Sequence, residues 1–340
     1  MPIRPFMVRA CVAVALGGGV GTSLVSQHVL ATTDHHAKRA LTVLVFGDGG
    51  TGESDQRTVA GAMGSFCRTG PHRCDFGLVL GDLIYGEGVR SATDPRFATQ
   101  FEIPYDTLGA LELWMVAGNH DHGTRGSVEH QVAYSQASRR WRMPASHYAI
   151  PKLPAWLHIY ALDTEILRQF RDPRASSKKI AAGRAMLAGA RRALCGKEGW
   201  RILIGHHPVY SSGPHVTGED ALGVSRSMQS ALKGVIDDCE VQLYLAGHEH
   251  HQELVQVGRF LQVVQGAGGA AIRPTRDRDP ALVGSRWVAE THGFASIEFT
   301  ASQLTLTYFA ADSDGARRLC SWTRLLSGAA SPGDASCALR

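Results

Sequence analysis

A layered α/β fold with a largely parallel strand arrangement is what this 340-residue sequence predicts. Three observations carry the prediction. Five near-continuous apolar runs have the length of strands buried on both faces. Each run ends in glycine and is followed at once by a side chain able to hold a metal ion. Segments of helical spacing separate several of the runs, and strand–helix alternation implies parallel strands with ligands collecting at their carboxyl ends.

The first run, 41–46 (Leu-Thr-Val-Leu-Val-Phe), leads into Gly47-Asp48-Gly49-Gly50. A helix is expected over 54–67, with Ser54 as its N-cap. The second run, 75–80, ends in Gly81-Asp82, and the third, 113–117, ends in Gly118-Asn119-His120. An Ala-rich, basic helix is expected over 179–193. The run 200–204 then ends in Gly205-His206-His207, a helix is expected over 221–236, and the run 241–246 ends in Gly247-His248-Glu249-His250. Strands near 260–265, 295–299 and 304–309 have no helical insertions, so this end of the molecule is expected to be antiparallel in part. Residues 32–310 read as one folded domain and 311–340 as a surface tail.

The N-terminus reads as a secretory signal over 1–31. Arg4 and Arg9 give a positive start, the stretch from Ala10 to Leu16 runs on into a glycine-rich apolar segment, and Val29-Leu30-Ala31 offers a small-residue cleavage site. The competing reading is a retained anchor. Ser23, Ser26, Gln27 and His28 interrupt the run, which falls short of the roughly 20 apolar residues a span needs, so no stable membrane insertion is expected after cleavage. Two of the four net positive charges lie in this segment. The near-neutral remainder argues against nucleic-acid or membrane partners. Without Cys11, six cysteines remain for an oxidising, secreted or periplasmic compartment. Six allow fifteen connectivities. Cys67 with Cys74 and Cys320 with Cys337 are the economical pairs, leaving Cys195 with Cys239, and the absence of Cys-x-x-Cys argues against a structural zinc site.

One Gly-Asp or Gly-His turn is weak evidence, but five in one chain point to a metal site. The blocks Gly47-Asp48-Gly49, Gly81-Asp82-Leu83-Ile84-Tyr85, Gly118-Asn119-His120-Asp121, Gly205-His206-His207-Pro208 and Gly247-His248-Glu249-His250 resemble those of the calcineurin-like metallophosphoesterases. Tyr85 narrows the resemblance to purple acid phosphatases. The stretch from Val132 to Ser135 and on through Arg139 to Trp141 looks like their small, tartrate-resistant, mammalian-type branch. The likeness runs from about Leu41 to about Ala310, making 32–310 the catalytic domain.

The resemblance implies an α/β (α+β) fold: a four-layer α-β-β-α sandwich of two mixed sheets flanked by helices, with a binuclear centre at the strand ends. It implies one metal held by Asp48, Asp82, Tyr85 and His250, and another held by Asp82, Asn119, His206 and His248, with Asp82 bridging. Charge counting agrees with this division. The phenolate and carboxylates of the first site suit hard Fe³⁺, while the neutral imidazoles and amide of the second suit Fe²⁺, Zn²⁺ or Mn²⁺. His207 and His251 are expected outside the ligand shell, His207 in a surface or supporting role. His120 and His215 are expected to contact the substrate phosphate, with His120 helping to protonate the leaving group. Asp121 and His122 are weaker candidates that could orient the turn. The expected activity is hydrolysis of small-molecule phosphate monoesters, with phosphoproteins or nucleotides among the candidate substrates, by attack of a metal-activated hydroxide, in a monomeric enzyme. The alternatives are a related binuclear phosphodiesterase or nucleotidase, disfavoured by Tyr85, and a non-hydrolytic iron or redox protein, disfavoured by the two outer histidines.

Overall fold

The computed structural model describes residues 40–69, 73–170, 175–217, 221–275, 284–328 and 337. The expected signal segment lies outside the described residues.

Two seven-stranded sheets form among the described residues. In the first, β1 (Leu41–Phe46), β2 (Phe76–Val79), β3 (Leu113–Met115) and β4 (Trp141–Arg142) run parallel and side by side. Antiparallel strands β12 (Gly293–Phe299), β13 (Gln303–Asp312) and β14 (Gly315–Leu325) extend that sheet beyond β1. In the second sheet, β6 (Leu157–Ala161), β7 (Trp200–Ile204), β8 (Leu243–Ala246) and β10 (Phe260–Gln265) are parallel. The antiparallel strands β5 (Tyr148–Ala149), β9 (Gln252–Val257) and β11 (Ser285–Ala289) complete its two edges.

The period of two within the second sheet explains the layering. Ile202, Ile204, Leu243 and Leu245 join the core shared with the first sheet. Their alternating neighbours Leu203, Tyr244 and Ala246 pack under helices α4 (Ser177–Leu194) and α6 (Ala221–Asp238), through Met186, Met228 and Leu232. On the far side, α1 (Ser54–Thr69) packs on β12, β13 and β14. The result is the expected four-layer sandwich. Ser176 caps α4 by accepting from Lys179 N, and Arg191 and Arg192 occupy its last turn, where they complement the helix dipole. Smaller helices α2 (Ser127–Tyr134), α3 (Thr164–Phe170) and α5 (Pro214–Thr217) lie in the connections.

One boundary differs from the sequence reading. Residues 315–325, read as part of a surface tail, form edge strand β14 in register with β13. Arg317 and Arg318 break the apolar pattern because an edge strand buries little at that end. The disulfides are Cys67–Cys74, Cys195–Cys239 and Cys320–Cys337, the economical set, and the last ties β14 to residue 337. Among the described residues, no helix is long and apolar enough to cross a membrane.

Candidate metal centre

All five glycine-terminated runs open onto one place, because β1, β2 and β3 in one sheet and β7 and β8 in the other end there. Asp48, Asp82 and His248 have positive φ of 57°, 50° and 70°, so the chain turns sharply straight after each strand. Aspartate and histidine tolerate this region better than most residues. The glycines are needed for close approach: a Cβ on Gly118 would lie 2.2 Å from Asp82 Oδ1, and one on Gly247 would lie 2.4 Å from Asp48 Oδ2.

The donors gather in two groups. In the first, Tyr85 Oη lies 3.0 Å from His250 Nε2 and 3.5 Å from Asp48 Oδ1, and His250 Nε2 lies 3.5 Å from Asp48 Oδ1. Asp82 completes this group. In the second, His206 Nε2 lies 3.1 Å from Asn119 Oδ1, 3.2 Å from His248 Nδ1 and 3.4 Å from Asp82 Oδ1. Asp82 thus stands between the groups. Ligands bound at about 2.0–2.2 Å around one ion sit roughly 3 Å apart in adjacent positions, so both groups fit a cation. The ring orientations fit as well. His206 Nδ1 donates to Leu80 O (2.8 Å) and His250 Nδ1 donates to Ala271 O (2.9 Å). Carbonyls only accept, so each Nε2 keeps its lone pair for the group.

The electrostatics describe a site built around positive charge. Burial, and then the charges of Asp48 and Asp82, push the Tyr85 phenol far above its ordinary value. Burial raises the Asp82 carboxyl, with Asp48 adding to it, although His206 and His120 pull it down. Burial lowers the His206 imidazole, but Asp82 and Asp48 outweigh it and the net direction is up. Burial, and then His207 and His206, hold His248 well below the usual histidine range. Buried oxygens crowd together here with imidazole lone pairs, and bound cations would relieve that crowding.

His207 lies close enough to His206 and His248 to join the second group as a further donor. Its hydrogen bonds argue otherwise. Thr164 Oγ1 accepts from His206 N (3.2 Å) and His207 N (3.0 Å), so its own hydrogen goes to His207 Nδ1 at 2.8 Å. His207 Nε2 then carries the proton and faces Glu165 Oε2 at 3.7 Å. A protonated nitrogen cannot ligate. His207 is fully buried rather than on the surface, and it holds the His206 turn against α3. His251 is likewise buried, with Nε2 on Glu253 Oε2 (3.1 Å).

The outer histidines sit at the mouth. His120 N donates to Asp82 Oδ1 (3.0 Å) and His120 Nδ1 to Gly86 O (2.9 Å), and the ring is about one-third exposed, 36%. His215 Nδ1 bonds Glu249 Oε2 (3.1 Å), and its ring centre is 4.8 Å from that of His248. Asp121 is a knot between two ligand loops: it accepts from Gly118 N (2.8 Å), Leu83 N (3.0 Å), Ile84 N (3.2 Å) and Gln131 Nε2 (3.0 Å). Burial, followed by the charge of Asp82, pushes its carboxyl up to about 6. His122 Nε2 bonds Asp163 Oδ1 (2.9 Å) across to the exit of β6.

Three participants escaped the sequence reading: Asp163, Glu249 and Arg273. Strand β6 ends at Ala161, and Leu162 rather than a glycine precedes Asp163, so the repeated signature is missing there. Glu249 is visible only as the residue between two histidines. Arg273 follows β10, whose exit at Gly266 carries the same glycine signal as the other five runs, with the side chain seven residues on.

Residues 28–252 match the family model of calcineurin-like phosphoesterases. Tartrate-resistant acid phosphatase type 5 of Sus scrofa is 31% identical over 255 residues, which cover 70% of this chain and 72% of the relative. Among solved structures, GAP50, the anchor in the inner membrane complex of Plasmodium, superposes with a TM-score of 0.66 at 19% identity, covering 83% of this chain and 89% of that one. A purple acid phosphatase from yellow lupin (Lupinus luteus) seeds gives a TM-score of 0.61 at 19% identity, over 84% of this chain and 54% of that one. At such identities these two structures speak to the fold alone.

Proposed function

The chain belongs to the calcineurin-like phosphoesterases, in the branch of the purple, tartrate-resistant acid phosphatases, and on that premise we propose that it hydrolyses phosphate monoesters at a binuclear Fe(III)–M(II) centre outside the cytoplasm. M(II) is Fe²⁺, Zn²⁺ or Mn²⁺. The observation that carries the reading is the phenol of Tyr85 set 3.0 Å from His250 Nε2 and 3.5 Å from Asp48 Oδ1, beside a second donor group that shares Asp82. Asp48, Asp82, Tyr85 and His250 hold the trivalent ion, and Asp82, Asn119, His206 and His248 the divalent one. When bound, the two ions supply Lewis acidity for activating water and for neutralising phosphoryl oxygens.

The remaining work falls to the protein. Asp121 locks the loops of Asp82 and Asn119 to each other, so the two halves of the site keep their spacing. His120 stands at the mouth with its Nδ1–H committed to Gly86 O, which leaves Nε2 to face a substrate; the ring can give the leaving alkoxide a proton from Nε2 only as the imidazolium, protonated on both nitrogens. His215, held by Glu249, flanks the same opening. Three disulfides support a secreted or periplasmic setting.

The test combines metal analysis, a visible spectrum and turnover. An oxidised, metal-replete sample is expected to show a phenolate-to-iron charge-transfer band that Tyr85→Phe abolishes, and to hydrolyse an aryl phosphate in mild acid. A fully metallated sample with no turnover in acid or at neutral pH would overturn the phosphatase reading. A band that survives in Tyr85→Phe would overturn the ligand assignment.

A further inference from the structure

Resting on the phosphatase reading, we infer that Arg273 is a substrate-binding residue, whose guanidinium takes the non-bridging oxygens of a dianionic phosphoryl group and sets a preference for monoesters over diesters.

The backbone places it. After β10 the chain folds back over the first donor group: Ala270 N donates to Asp48 O (2.8 Å), Ala271 O accepts from His250 Nδ1 (2.9 Å), and Arg273 N donates to His250 O (3.2 Å). Arg273 is thereby pinned above a candidate ligand. Its Nη1 lies 2.8 Å from His215 Nε2 and 3.1 Å from His215 Nδ1. The ring of His215 in turn faces His248 of the second donor group. The guanidinium therefore hangs over the opening that both groups share. Its field reaches the Tyr85 phenol, where it opposes the charges of Asp48 and Asp82.

The charge inventory shows what is missing. The partner of Nη1 is an imidazole, and the acid beside that imidazole, Glu249, bonds its other nitrogen. Among the described residues, no carboxylate oxygen lies within ion-pair distance of Arg273, and the residue is only partly exposed. A guanidinium carries five N–H donors in a planar fork that matches phosphate oxygens two at a time. Arg273 thus presents unmatched charge and spare donors where a phosphoryl group must enter. A monoester dianion satisfies that charge better than a diester, which carries one negative charge fewer.

Inorganic phosphate, titrated calorimetrically into the metal-replete enzyme, is the direct probe. Arg273→Gln is expected to weaken phosphate binding about 10- to 100-fold, the range for a lost charge-assisted contact. It should lower kcat/KM for an aryl phosphate by a similar factor, lower that for an aryl methyl diester by no more than roughly threefold, and leave metal content unchanged. Arg273→Lys, which keeps the charge but loses the fork, should fall between, and it carries the test if the Gln variant does not fold. Unchanged phosphate affinity and an unchanged monoester-to-diester ratio in Arg273→Gln would overturn the inference and reduce Arg273 to a support for His215. A wild-type enzyme that neither binds phosphate nor cleaves the monoester would overturn the phosphatase reading with it, so the two failures are distinct.

Discussion

Replacing Asp121 with asparagine tests whether the two ligand loops are held together by one buried carboxylate. Oδ2 accepts from Gly118 N at 2.8 Å and from Leu83 N at 3.0 Å, while Oδ1 accepts from Ile84 N at 3.2 Å and Gln131 Nε2 at 3.0 Å. Asparagine keeps one acceptor and puts an NH₂ where the other was, so at least one buried backbone N–H loses its partner. Hydrogen bonds to a charged group contribute about 1.5–3 kcal/mol each, and an orphaned buried donor costs about 1–3 kcal/mol. The expected loss is therefore about 3–5 kcal/mol, or roughly 6–10 °C in Tm at the 2 °C per kcal/mol of a large domain. The scan belongs at neutral pH, above the value of about 6 to which burial and then Asp82 raise this carboxyl, so that the native form is ionised. Because Leu83 follows Asp82 and Gly118 precedes Asn119, affinity for the divalent ion should also fall, about 10- to 100-fold as for other supporting contacts of metal ligands. An Asp121→Asn variant that melts with the wild type and retains its metals through dialysis would refute the reasoning.

Three further outcomes are expected. His120→Ala should lower kcat about 10²- to 10⁴-fold, the usual worth of a positioned acid, with both metals retained; loss of metal would instead make His120 a ligand. Glu102, which accepts from Tyr134, Ser138 and Arg140, is held below its ordinary 4.5: burial works to raise it, but those bonds outweigh burial. Its contribution is present above pH 4.5 and lost as pH falls through the lower folded value, so Glu102→Gln should flatten part of the acid limb of a Tm-against-pH curve, and an unaltered limb would remove Glu102 from the account. Opening Cys195–Cys239, which spans 44 residues, by Cys195→Ala with Cys239→Ala should cost about 4 kcal/mol on loop-closure entropy, against about 2 kcal/mol for the seven-residue Cys67–Cys74 loop. Equal losses in urea titrations would point away from loop closure.

How far the sequence reaches can be seen strand by strand. The runs at 41–46, 200–204 and 260–265 coincide with β1, β7 and β10, because strands buried on both faces leave a mostly apolar signal that survives single breaks such as Thr42, Arg201 and Gln262. Strand β9 was missed since Gln252, Glu253 and Gln256 interrupt it; Glu253 is nonetheless buried, satisfied by Ser211, Ser212 and His251. Polar residues with distant partners look like loop residues when the partners cannot be seen. Strand β14 was lost for a different reason: Arg317 and Arg318 are exposed at the edge of the sheet, where little is buried. At the candidate site, Asp48, Asp82, Asn119, His206 and His248 were legible because each directly follows the glycine that ends an apolar run, whereas Tyr85 and His250 were picked out through the resemblance to the purple acid phosphatases.

The order of strands and the donor type at each exit are local properties, written in apolar runs, glycines and the residues directly after them, and the sequence alone determined those. Which donors meet was decided by the packing of one sheet on the other, since Asp82 and His206 are far apart along the chain and 3.4 Å apart in space. The same holds for the rejection of His207, which turns on a hydroxyl from Thr164, and for Arg273, whose bearing on the site depends on how the chain returns after β10. Hydrogen bonds and charge pairs act over a few ångströms, so only a folded chain can say which of them exist.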